Sequence, residues 1–76
     1  MPHVIVKLYA GRSAQQKARI AEAVTKAIMS STQNAEASIS VSIEDVEPSE
    51  WTEKVYKPDI MGKPDMLCKK PGYNPL

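Results

Sequence analysis

The segment His3-Val4-Ile5-Val6-Lys7-Leu8-Tyr9-Ala10-Gly11-Arg12-Ser13-Ala14-Gln15-Gln16 holds two periodicities and the break between them. From His3 to Tyr9 the side chains alternate, with Val4, Val6 and Leu8 on one face and His3, Ile5, Lys7 and Tyr9 on the other, which is the pattern of a half-buried strand. Ala10-Gly11-Arg12 breaks the alternation. Ser13 followed three residues later by Gln16 is a capping box, so a helix starts there. It runs to about Ser31, with Ile20, Ala21, Val24, Ala27, Ile28 and Ser31 as the inward stripe and Lys17, Glu22 and Lys26 on the wet side. After the polar connection Gln33-Asn34-Ala35-Glu36, a second strand is read from Ile39, Val41 and Ile43 alternating with Ser38, Ser40 and Ser42, the three serines sharing a face. Strand, helix and strand in this order form one βαβ unit, whose strands are parallel and whose crossover is right-handed.

The rest of the chain adds little to the sheet. Glu47-Pro48-Ser49-Glu50-Trp51 suits the first turn of a second, short helix that Pro58 stops. Asp59 to Leu76, with Pro64, Pro71, Pro75, Gly62 and Gly72, reads as a tail of turns that docks on the rest, with one helical turn around Met66-Leu67-Cys68. The acid-rich stretch Glu44 to Glu53 and the lysine-bearing stretch after it read as solvated surface. The fold class is therefore α+β: a single βαβ protomer with a short second helix and a Pro-rich C-terminal tail.

Size then constrains assembly. The 76 residues make one domain, residues 1–76, and of 32 hydrophobic residues 8 are Ala and only 15 are Val, Ile or Leu. Such a chain needs a staple. One cysteine excludes an internal disulfide, and one histidine with one cysteine excludes a four-ligand zinc site of the usual kind, so oligomerisation remains. Two strands with a helix on one face also leave the other face and both edges open, which again implies a partner chain. The formal charge of +1 carries no electrostatic footprint for nucleic acid or an anionic membrane. The longest apolar runs, such as Val4-Ile5-Val6, fall far short of a membrane span or a signal-peptide core, and a soluble cytoplasmic protein is expected.

Few residues offer chemistry. With its one histidine at position 3 the chain has no Ser-His-acid set, no phosphate-cradling glycine motif and no metal-ligand spacing. Pro2 is one candidate: if Met1 is removed it carries a secondary amine, and burial at a strand end would lower that amine's pKa toward the range useful for a base. Arg12 precedes a helix N-terminus, where a guanidinium and free N–H groups can hold a carboxylate; the residues alone favour a solvated loop arginine over that role. Trp51, the only tryptophan, is either a core anchor or an apolar pocket wall. Cys68 has no basic partner in sequence and reads as a bystander thiol.

The ordered set Met1-Pro2-His3, Gly11-Arg12-Ser13, Gln15-Gln16-Lys17, Ser38-Ile39-Ser40-Val41, Pro48-Ser49-Glu50-Trp51 and Lys69-Lys70-Pro71-Gly72-Tyr73 resembles the 4-oxalocrotonate tautomerase family, in its short bacterial PptA-type branch. The resemblance spans nearly the whole chain. It implies the tautomerase fold, completed by oligomerisation, and cofactor-independent keto–enol tautomerisation of small 2-oxo acids. Pro2 would be the general base once Met1 is gone, Arg12 would bind the substrate carboxylate, and Trp51 would wall the pocket. Where family members acting on dicarboxylates carry a second arginine in strand two this chain has Ser40, so the implied substrate is a monoacid with an apolar or aromatic tail. The implied assembly is a homo-oligomer, a dimer in preference to a hexamer because the tail would cap further surfaces. A catalytically silent oligomer serving a structural or interaction role is the competing reading.

Overall fold

The computed structural model describes all of residues 1–76. Strand β1, His3–Tyr9, is followed by helix α1, Ala14–Thr32, and by strand β2, Ser40–Val46. The strands pair in parallel from His3↔Ser40 to Tyr9↔Val46. Ser13 caps α1 as its sequence requires: its side chain accepts from the Gln16 N–H at 3.1 Å, and Gln16 Oε1 accepts from the Ser13 N–H at 3.1 Å. Gly11 makes the turn before it at φ 118°, a conformation that side chains rarely adopt.

Parallel pairing puts Val4, Val6 and Leu8 on the same face as Val41, Ile43 and Asp45, and α1 covers that face. The inward stripe of α1 is rotated from the one expected. Ala27 and Ser31 are exposed, whereas Thr25 and Met29 are half-buried over Val41, and Lys17 is half-buried rather than wet. Both polar residues bring their own partners: Thr25 Oγ1 donates to the Ala21 carbonyl at 2.7 Å, and Lys17 Nζ meets Asp45 at 2.5 Å. Ser38 lies outside β2, in a 3-10 turn at Glu36–Ser38, where its hydroxyl donates to the Ala35 carbonyl, so only Ser40 and Ser42 share the outer face.

The second helix does not stop at Pro58. A 3-10 turn at Pro48–Glu50 leads into helix α2, Thr52–Met61, which is wound with wide i to i+5 turns and passes through the proline. In an ordinary helix the ring of Pro58 would collide with the carbonyl four residues back; the wider winding relieves that clash and leaves one missing donor. Gly62 closes the helix, its N–H donating to the Lys57 carbonyl at 2.8 Å. A Cβ there would sit 2.6 Å from the Pro58 carbonyl oxygen. The tail turn likewise falls at Pro64–Met66, two residues earlier than expected, because Pro64 supplies its first φ.

α2 and the tail fold back over the face of β1 that α1 leaves open, so this face is not bare as expected. Lys7 Nζ meets Asp59 at 2.5 Å, the Tyr9 and Trp51 rings meet edge to face, and a cavity of about 370 Å³ lies between Ile5 and Lys7 on one side and Val55, Met66 and Leu67 on the other. The cover is partial: Ile5 stays 57% and Tyr9 50% exposed. Only Val55 and Tyr56 are buried. The surface acids and lysines meet as exposed pairs one turn apart, Glu22 with Lys26, Glu50 with Lys54 and Glu53 with Lys57.

Candidate active site

β1 separates the candidate residues into two groups. At its start, Pro2 is half-buried and its carbonyl accepts from the Ser40 N–H at 3.2 Å, while Met1 ahead of it is 99% exposed. Ser40 also holds the next side chain, its Oγ lying 2.6 Å from His3 Nδ1. Pro2 and Ser40 are thus brought together. At the other end of β1 the turn at Ala10-Gly11 delivers Arg12, which is exposed and has no ion pair or side-chain hydrogen bond in the chain. The capping box uses the Ser13 and Gln16 N–H groups, and the Ala14 and Gln15 N–H groups beside Arg12 keep no protein acceptor.

Trp51 lies at this second end as well. Its ring meets Tyr9 at a centroid distance of 5.2 Å and an angle of 82°, and its Nε1–H donates to the Tyr73 hydroxyl at 2.9 Å. Tyr73 in turn packs on Tyr56 at 5.7 Å. All four aromatic residues of the chain form this one cluster, which joins β1, α2 and the tail around a small cleft lined by Tyr9, Trp51 and Tyr73. Trp51 is therefore an anchor and a half-buried wall at once.

Seven strand residues at about 3.3 Å each place the two ends of β1 some 20 Å apart. Within one chain Pro2 does not meet Arg12 or Trp51. Sequence reasoning passed over His3, Tyr9 and Tyr73; alternation puts His3 and Tyr9 on one face, but their partners depend on strand register and on the fold of the tail. It also passed over the pair that fixes α2 to β1. The hydrogen bond from Lys7 holds the Asp59 carboxyl below its ordinary range, and the same bond raises the Lys7 ammonium above its own. Cys68 is exposed, and its thiol has the Met66 carbonyl, at 3.7 Å, as its only polar partner. No three of His, Cys, Asp and Glu converge, and no helix is long and apolar enough to cross a membrane.

Residues 2–54, from the strand-end proline through the aromatic anchor, match the family model described as tautomerase enzyme. The chain belongs to the tautomerase family. It is accordingly an isomerase, a tautomerase acting on a small-molecule substrate. The chain is 38% identical over 76 residues to a probable tautomerase of Xylella fastidiosa (strain 9a5c), covering 100% of this chain and 93% of that protein. It is 37% identical over 75 residues to tautomerase PptA of Cronobacter sakazakii (strain ATCC BAA-894), covering 96% of this chain and 97% of that one. Among solved structures it is similar to the 4-oxalocrotonate tautomerase isozymes from Methylibium petroleiphilum, with a TM-score of 0.64 and 32% identity over 66% of this chain and 81% of that one. The βαβ unit of this tautomerase is thus shared with solved relatives.

Proposed function

We propose that this tautomerase interconverts the enol and keto forms of small 2-oxo monoacids without a cofactor, using the amine of Pro2, exposed by removal of Met1, as general base. The observation that carries this reading is the anchoring of Pro2: Ser40 pins its carbonyl to β2, the residue is half-buried, and Met1 ahead of it is fully exposed. A secondary amine so placed has a lone pair at a fixed point. Partial desolvation favours its neutral form, so Pro2 takes the enol hydroxyl proton and returns it at carbon. Arg12 then binds the carboxylate, aided by the free Ala14 and Gln15 N–H groups, and Trp51 with Tyr9 and Tyr73 walls the apolar tail.

Because some 20 Å separates the ends of β1, Pro2 of one copy works with Arg12 and Trp51 of another, in a homodimer. The nearly absent core and the partial cover that the tail gives to β1 support such an assembly. Ser40 is neutral and tied to His3, so one guanidinium meets one carboxylate; this favours monoacids with an apolar or aromatic tail over diacids. The test compares processed and Met1-retaining protein, each verified by intact mass, on the enol of phenylpyruvate. The processed form turns over and the Met1 form, whose proline nitrogen is an amide, does not; equal rates remove Pro2 as the base.

A further inference from the structure

Beside the base, β1 carries a side chain that the reaction described above does not use. His3 follows Pro2 across a trans peptide, which sets their Cα atoms about 3.8 Å apart. Successive strand side chains point to opposite faces, but the Pro2 nitrogen belongs to the backbone at the strand end, one residue before His3. Ser40 stands opposite His3 in the register. It makes two bonds there, its N–H to the Pro2 carbonyl and its Oγ to His3 Nδ1 at 2.6 Å. One serine fixes both the backbone that carries the amine and the ring next to it. A serine hydroxyl that donates to Nδ1 leaves the ring proton on Nε2, and Nε2 has no partner in the chain. No carboxylate pairs with the ring, and the residue is exposed, so Nε2 is left free to meet a ligand beside the base.

Resting on Pro2 as the base, we propose that His3 is a catalytic residue that hydrogen-bonds the 2-oxygen of the oxo acid through Nε2–H, and that Ser40 is the positioning residue that fixes its ring. As Pro2 takes the C3 proton, the C–H electron pair becomes the C2–C3 double bond and the carbonyl π pair moves onto the 2-oxygen. His3 holds that oxygen while it carries the charge. The proton on Pro2 then passes to the oxygen, giving the enol; the reverse order gives the keto acid, and nothing else is consumed. Such a donor matters here because the chain has Ser40, not a cation, at this point of β2.

The test uses processed protein, verified by intact mass, with the enol of phenylpyruvate as probe and circular dichroism as a check on folding. His3→Leu, which has no donor, lowers kcat about 100-fold, the usual effect of removing one donor to a developing oxyanion. His3→Gln keeps an N–H donor and recovers about a tenth of the wild-type rate or more. Ser40→Ala leaves the ring loosely held and lowers kcat several-fold with little change in KM. Equal loss in His3→Leu and His3→Gln overturns the donor role. Wild-type kcat in His3→Leu overturns it too, while an inactive Met1-retaining form in the same assay leaves Pro2 standing. Full activity of the Met1-retaining form overturns Pro2 and this proposal together.

Discussion

Arg12 is the one cation of the candidate site that no other group of the chain engages, and its exposure separates binding from folding. Arg12→Ala should therefore leave the unfolding midpoint unchanged while lowering kcat/KM for a 2-oxo monoacid by about 10- to 150-fold, the equivalent of a charge-assisted contact of about 1.5–3 kcal/mol. Steady-state kinetics beside a thermal melt decides it; an unchanged kcat/KM would move the carboxylate site to Lys69 or Lys70 of the tail. Pro2, Arg12, Ser40 and Trp51 could each be picked from the sequence because amine, guanidinium, hydroxyl and indole are chemically distinct wherever they stand. Their grouping could not. Only the register His3↔Ser40 shows that the serine grips a histidine, and only the fold of the tail shows that Tyr73 accepts from Trp51. Tyr73→Phe removes that acceptor and leaves the indole N–H to water, so it should cost about 1 kcal/mol and shift Trp51 emission.

α1 and α2 show two degrees of legibility. The N-terminus of α1 is written locally, since Ser13 and Gln16 satisfy each other's backbone N–H groups whatever the rest of the chain does. Ser13→Ala should cost about 1 kcal/mol. The course of α2 is not local in this way: the rule that a proline ends a helix holds for ordinary winding, and residues 52–61 wind more widely, closed by Gly62 against the Pro58 carbonyl. Gly62→Ala should accordingly lower the unfolding free energy by about 1–3 kcal/mol, as overpacking does, with the loss visible in Trp51 emission as well as in the melt. The Lys7–Asp59 pair, which fastens α2 to β1, gives the junction a pH dependence. Asp59 is held below its ordinary 3.8, so its contribution is full above that value and is lost as pH falls through the lowered pKa. Lys7 is held above its ordinary 10.5, so its contribution is full below that value and is lost as pH rises through the raised pKa. Trp51 emission should report loosening of α2 at both extremes and none between them, and Asp59→Asn should remove both limbs.

At the scale of the whole molecule, two buried residues in 76 and a proposed site whose residues lie at the two ends of one strand make the same demand. In the proposed homodimer a second copy would supply the missing burial and, under two-fold symmetry, would supply each Pro2 with an Arg12, twice per dimer. Size and composition raise the expectation of a partner in the sequence; the proposal of which side chains it would contribute rests on β1, which places Pro2 and Arg12 at opposite ends. Shared sites have a consequence that sites within one chain lack. Take a processed Arg12→Ala chain, which keeps the base but not the carboxylate clamp, and a Met1-retaining chain, which keeps the clamp but not the base. Each alone is poorly active. Refolded together at equal amounts, half of the dimers are mixed, and in each mixed dimer one of the two sites draws Pro2 from the first chain and Arg12 from the second. Activity should return to about a quarter of that of the processed wild type. Light scattering on the same sample should give a dimer, and a hexamer would revise only the part assigned to the tail. Mixtures no more active than the mean of their components would place base and clamp within single chains, and the two ends of β1 would then have to serve different ligands.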